Sequence, residues 1–248
     1  MSGHSKWATI RHKKGAADAK RGKIFTKLIK EITVAARTGG GDIEANPRLR
    51  QAVLKARSSN MPKDNIDRAI KKGTGDLEGA DYVEIAYEGY GPGGVAILVD
   101  ALTDNRNRTA ADVRSIFSKG GGNLGESGCV SYLFNRKGII AYDASQYTED
   151  EVLEKALEAG ADDVQTSGDA VELTCAAEEF DAVLSVMQEA GFEHTMAEIG
   201  KVPDATVTLD ADGARKALRL IETLDDHDDV QSVSTNLEIP EDLDLSEE

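Results

Sequence analysis

From residue 24 onward the apolar positions fall into a helical period. Ile24, Phe25, Leu28, Ile29, Ile32 and Ala36 recur at spacings of one, three and four. That spacing gathers them on one helix face and leaves Lys23, Lys27, Lys30 and Arg37 among the remaining positions. Gly39-Gly40-Gly41 ends the run. Asn46-Pro47 opens a second helix, with Asn as N-cap and Pro in the first helical position. Its apolar face is Leu49, Ala52, Val53 and Ala56, with Arg48, Arg50, Lys55 and Arg57 outward. After Met61-Pro62 a third helix carries Ile66, Ala69 and Ile70 and stops at Gly73. Before these helices, Trp7 and Ile10 stand among many cations in residues 1–21 with almost no apolar periodicity, and the stretch reads as an arm that orders on a partner.

Past Gly73-Thr74-Gly75-Asp76 the period changes from 3.6 to 2. Residues 82–88 alternate, and Val95 to Val99 follows a Gly/Pro turn, which predicts a hairpin. A helix from Thr109 to Lys119 comes next, with Asn107 or Thr109 as its cap, and then a strand over Cys129–Phe134. Residues 138–142, 149–160, 163–166, 170–175, 178–191 and 195–199 give the order β-α-β-β-α-β, the split βαβ or ferredoxin-like motif. Pro203 breaks the chain, and a further β-α-β runs to Leu237. The fold class is therefore α+β: a basic N-terminal three-helix domain and two ferredoxin-like or α+β domains, the third inserted into the second. The expected divisions are a basic arm over 1–21, a helical domain over 22–75, a split α+β domain over 76–135 plus 202–240, an inserted domain over 136–201, and an acidic tail over 241–248.

Charge sharpens this division. The chain of 248 residues has a net charge of −16, which by itself argues against a polyanion partner. Residues 1–75, however, hold 18 Lys+Arg against 6 Asp+Glu, and the rest hold 11 against 39. Such segregation suits a basic module for a phosphate polymer joined to acidic modules that avoid it. A basic domain docked on an acidic one accounts for the same pattern, and the two readings are compatible. Cys129 and Cys175 are too few for a disulfide scaffold and read as small buried apolar groups. No apolar run is long enough to span a membrane, and the N-terminus lacks the apolar stretch of a secretory signal, so a cytoplasmic location is expected.

The candidate nucleic-acid-binding residues are Lys6, Arg11, Lys13, Lys14, Lys20, Arg21 and Lys23, seven cations within 23 residues. Clustered cations bind polyanions chiefly through counterion release. Trp7 is placed to stack on an unpaired base, a contact worth ~1–3 kcal/mol, or to anchor the arm locally. Arg106 and Arg108 stand at the start of a helix where basic residues are scarce; an Arg pair there suits phosphate, and ion pairing with acidic neighbours accounts for it as well. Gly89-Tyr90-Gly91-Pro92-Gly93-Gly94 lacks the Lys-Ser/Thr of a P-loop and reads as a hairpin turn. His4 and His12 lack the company of a metal site, and neither a metal nor a cofactor is expected. His194 and His227 have no nucleophilic partner at a strand-to-helix elbow, so no catalytic constellation emerges.

Several motifs carry a resemblance. Gly3-His4-Ser5-Lys6-Trp7 with Arg11-His12-Lys13-Lys14, Asn60-Met61-Pro62-Lys63-Asp64-Asn65-Ile66, Arg68-Ala69-Ile70-Lys71, residues 87–94, Thr103-Asp104-Asn105-Arg106-Asn107-Arg108-Thr109 and Gly122-Asn123-Leu124-Gly125 occur in order along nearly the whole chain. In these the sequence resembles the YebC/PmpR family, bacterial proteins related to a mitochondrial translational activator. The resemblance implies a three-domain fold and a cytoplasmic, non-enzymatic protein. It implies a DNA-binding transcriptional regulator, or alternatively a ribosome-associated translation factor that binds ribosomal RNA and eases synthesis of proline-rich stretches. The arm carries no helix-turn-helix signature, which favours contact with a backbone or a structured RNA over reading of base edges.

Overall fold

The computed structural model describes residues 18–239, with side chains from Gly22 onward. Three helices come first: α1 (Asp18–Gly39), α2 (Pro47–Ser58) and α3 (Lys63–Thr74). Leu28, Ile32, Leu49, Val53, Ala56, Ile66 and Ala69 are buried together as their core, as the 3.6 period requires. Asn46 caps α2 by accepting from Leu49 N at 3.1 Å, and its amide donates to the carbonyls of Ala35 and Gly40 at 2.8 Å. One side chain thus starts α2 and satisfies the end of α1. Helix α1 begins at Asp18, inside the stretch read as an arm, and α3 continues through Gly73 to Thr74.

The second unit opens with a hairpin of β1 (Val83–Tyr90) and β2 (Ala96–Thr103), closed where Gly93 and Gly94 take positive φ. Helix α4 (Arg106–Lys119) and the short β3 (Asn123–Leu124) follow. The chain returns to this unit with β8 (Val207–Thr208), α7 (Ala211–Asp225), β9 (Val230–Thr235) and β10 (Leu237–Glu238). The sheet order is β3-β1-β2-β9, and β8 pairs with β10 apart from it. Val95, Ile97 and Val99 meet Val113 and Phe117 of α4 and Ala217, Leu220, Ile221 and Leu224 of α7 in one core.

Between β3 and β8 lies the inserted unit: β4 (Phe134–Asp143), α5 (Glu149–Ala159), β5 (Asp163–Ser167), β6 (Ala170–Ala176), α6 (Phe180–Glu189) and β7 (His194–Pro203). Its sheet runs β5-β6-β4-β7 with every neighbouring pair antiparallel, the ferredoxin-like arrangement. Because β9 completes a sheet begun by β1 and β2, the third domain is an insertion in the second.

Three local expectations are corrected. Residues 129–133 are not a strand: Ser131–Leu133 forms a single 3-10 turn, and the strand runs unbroken from Phe134 to Asp143. The cause is Glu88, whose buried carboxylate accepts from the backbone N–H groups of Gly128, Val130 and Ser131 at 2.8 Å each and so removes them from any ladder. The cap of α4 is Asn105, which accepts from Arg108 N at 3.1 Å; Thr109 turns its hydroxyl inward instead. Pro203 does not break the chain but ends β7, opposite Phe134.

Glu88 also yields a prediction. Burial pushes its carboxyl up, but the three amide donors outweigh this and hold it below the usual range. Its stabilisation is therefore present above the unfolded carboxylate pKa and lost as pH falls through the lower folded value. Glu88→Gln turns an NH2 toward amide donors, and thermal unfolding at neutral pH is expected to show a loss of about 1.5 kcal/mol. Equal stability of the two proteins at pH 7 refutes this.

Candidate nucleic-acid interface

Lys23, Lys27 and Lys30 lie on α1 at i, i+4 and i+7, a spacing that aligns them on one face. That face meets the end of α7 and the loop leading into β9, the run Asp225-Asp226-His227-Asp228-Asp229. Lys23 donates to the carbonyl of Asp226 at 3.1 Å. Lys27 donates to the carbonyl of Asp225 and lies 3.8 Å from its carboxylate. Lys30 is buried; it donates to Asp229 Oδ1 at 2.6 Å and to the carbonyl of Asp228 at 2.9 Å. The last carbonyls of a helix lack intrahelical partners and form the negative end of its dipole, so ammonium groups are favoured there.

Asp229 is the hub of this contact. Its second oxygen accepts from Arg108 at 2.8 Å and from the Thr109 hydroxyl at 2.7 Å. Burial pushes the Asp229 carboxyl up, but the bonds from Lys30, Arg108 and Thr109 hold it well below the usual carboxylate range. Arg108 also bonds Asp104 at 2.9 Å, and these two carboxylates raise its guanidinium above the ordinary value. Of the Arg pair at the head of α4, Arg108 is thus engaged within the protein, while Arg106 is exposed in the first helical position. His227 accepts from Asp229 N at its Nδ1 and sets Nε2 3.4 Å from Asp112, a structural post in the same loop.

The outward cations of α2 reach the acidic domains too. Arg48 bridges Glu31 and Glu84 of β1, Arg50 meets Asp181 of α6 at 3.2 Å, and Lys55 meets Glu198 of β7 at 2.7 Å. Arg37 pairs with Asp81 at 3.1 Å. The basic domain is therefore docked on both acidic ones, the alternative that charge segregation left open. Arg57, in the last turn of α2, is exposed, as are Lys63, Lys71 and Lys72, which are interspersed on α3 with Asp64 and Asp67.

Of the sequence candidates, Lys6, Trp7, Arg11, Lys13 and Lys14 lie outside the described residues. Lys20 and Arg21 stand in the first turn of α1, one turn ahead of Lys23. The structure brings Lys23 and Arg108 to the same acidic loop from two domains and leaves Arg106 exposed; burial and the Asp229 charge push the Tyr87 hydroxyl up, and the Arg106 charge draws it partly back. Sequence reasoning missed the loop itself. The signal was present as four aspartates within five residues, 225–229, inside the β-α-β run that ends at Leu237. Among the described residues, no group of three or more His, Cys, Asp or Glu is arranged to hold a metal ion, and no helix is long and apolar enough to cross a membrane.

Comparison with known proteins gives a consistent result. The family described as TACO1/YebC protein N-terminal domain matches residues 5–76, and TACO1/YebC second and third domain matches residues 82–237. Over 247 residues, all of both chains, the sequence is 61% identical to a protein of Treponema denticola named probable transcriptional regulatory protein. A protein of the same name from Treponema pallidum is 59% identical over 243 residues, 98% of this chain and 99% of the relative. The crystal structure of a conserved hypothetical protein from Aquifex aeolicus superposes with a TM-score of 0.83 at 51% identity, covering 91% of this chain and 93% of that one. The chain belongs to the TACO1/YebC family.

Proposed function

We propose that this protein is a non-enzymatic, cytoplasmic regulator of gene expression that binds nucleic acid through its N-terminal arm and the first turns of α1, and that its target is DNA in transcriptional control. The observation that carries the reading is the distribution of positive charge. Lys23, Lys27, Lys30, Arg37, Arg48, Arg50 and Lys55 are bonded within the protein, largely to its acidic domains. Lys6, Arg11, Lys13, Lys14, Lys20 and Arg21 all precede this bonded set and are accompanied by one acid, Asp18. A cluster so ordered suits a phosphate backbone. The names of the Treponema relatives, probable transcriptional regulatory protein, support the regulatory role.

A second reading is a translation factor on ribosomal RNA. It is favoured by α2, whose Arg48, Arg50 and Lys55 are tied to acidic partners rather than presented as a base-reading helix. Crosslinking in cells followed by sequencing of the bound nucleic acid separates the two: promoter DNA supports the first, ribosomal RNA the second. For either target, changing Lys13, Lys14, Lys20 and Arg21 to Ala is expected to flatten the salt dependence of binding, by roughly 0.9 in the log–log slope per lost B-DNA contact. An unchanged slope excludes the arm as the site.

A further inference from the structure

We propose that the acidic loop 225–229 is a built-in competitor for the lysine face of α1, an autoinhibitory contact that a bound phosphate polymer displaces from its outer end inward. This rests on the reading of the N-terminal segment as the nucleic-acid site, and adds to it how that site is restrained.

The contact is graded along α1. Farthest in, Lys30 and Asp229 are 9% and 5% exposed, and Asp229 is held in turn by Arg108 and Thr109. One turn nearer the N-terminus, Lys27 and Asp225 are 16% and 19% exposed, with their charged atoms 3.8 Å apart. Lys23, at the outer end, is exposed and, among the described residues, is bonded to a backbone carbonyl of the loop. Exposed pairs contribute little and yield to a competitor, whereas removing one partner of a buried pair strands a charge. Lys23 is therefore the readily exchanged lysine, Lys30 is the anchor, and Lys27, partly buried with its partner carboxylate 3.8 Å away, is the second to yield.

The gradient runs toward the proposed site. Lys23 precedes Lys27 by one turn and Lys30 by two, so a phosphate backbone that approaches along α1 from its N-terminal end meets Lys23 first and Lys27 one turn later. The loop that occupies these lysines offers what the polymer offers, closely spaced oxygens: the backbone carbonyls of Asp225 and Asp226 and the Asp225 carboxylate hold them directly, and the exposed carboxylates of Asp226 and Asp228 add negative charge beside them. Both ligands want the same two ammonium groups, and only one can have them. At rest the loop holds the basic face shut, which suppresses indiscriminate attachment to any polyanion; a target that engages the arm well gains two further contacts.

The test uses the full chain and a mixed-sequence DNA duplex, reading the slope of log Kobs against log salt concentration. Asp225→Asn, Asp226→Asn and Asp228→Asn are combined, with Asp229 left in place as the anchor. Asn matches Asp in shape, and a thermal melt confirms that the fold is retained. The triple variant is expected to bind more tightly, with a slope steeper than the parent's by about 1.8, two ammonium groups at ~0.9 each. Adding Lys23→Ala and Lys27→Ala to the triple variant is expected to remove that extra slope. A triple variant with the parent's slope overturns the proposal. So does a gain that survives loss of both lysines, since it then reflects only the reduced negative charge of the protein. If neither the parent nor the triple variant binds duplex or an RNA hairpin at low salt, the underlying reading of the N-terminal segment falls and the competitor falls with it.

Discussion

Replacing Asp229 with Ala is expected to lower the stability of the protein by about 3–5 kcal/mol, the range for removing one partner of a buried ion pair. The carboxylate is the meeting point of two domains: Lys30 approaches one oxygen from α1, and Arg108 and Thr109 approach the other from α4. Without it the Lys30 ammonium remains buried with only the carbonyls of Asp228 and Leu102 as acceptors. Neutral oxygens solvate an ammonium but do not balance its charge. Asp229→Asn keeps the shape and is expected to lose most of the same energy, because the charge is what Lys30 requires. The pH dependence follows from the sign of the shift. The folded carboxyl sits below its unfolded value, so the stabilisation is present above about pH 4 and fades as pH falls through the folded value. Chemical denaturation across pH 3–7 is the measurement. The native and Asn proteins should differ by a constant amount down to about pH 5, and the gap should begin to narrow toward pH 3 as the unfolded carboxyl protonates; a gap that stays constant down to pH 3 refutes the assignment.

The same hub shows which parts of the molecule are legible in a sequence. Helix faces were readable because burial repeats every 3.6 residues: Leu49, Val53 and Ala56 point inward and are buried as spaced. The ferredoxin-like order and its insertion were readable because the period switches cleanly between 2 and 3.6 at glycine-rich turns. Periodicity separates core from non-core, but it does not distinguish a side chain facing water from one facing another domain. Hence Arg48, Arg50 and Lys55, read as outward, are indeed outside their own helical core and yet bonded to Glu84, Asp181 and Glu198. The strand expected at Cys129–Phe134 failed for a related reason. Its apolar pattern was adequate, but a carboxylate 40 residues earlier takes the amides that a ladder needs. As for the candidate site, charge segregation located the basic module, while the partner of its lysines lay some 200 positions away in the chain, where local pattern carries no information.

Glycine gives the clearest case of one residue type with two meanings, and the second large effect expected of this fold. The sequence pattern predicts a helix stop at Gly73. In the structure α3 passes through it and ends only at Gly75, which takes the left-handed conformation with φ of 88°. Gly73 is buried where α3 crosses α1, and a Cβ there would press on the carbonyl oxygen of Thr33 and lie 2.7 Å from Cβ of Ala36. The obstruction is backbone from a packed helix, so relief requires the helices to part. Ala is favoured over Gly in a helix by about 1 kcal/mol, but overpacking at a backbone contact costs up to about 3 kcal/mol, so Gly73→Ala is expected to be destabilising by about 2 kcal/mol net. Gly22, exposed in the second turn of α1, supplies the control: a Cβ there meets nothing within 4 Å. Gly22→Ala should therefore stabilise by up to about 1 kcal/mol. Opposite shifts of the unfolding midpoint for the same chemical change are the expected outcome. Stabilisation by both substitutions would mean that the close crossing of α1 and α3 is not a constraint of the native fold.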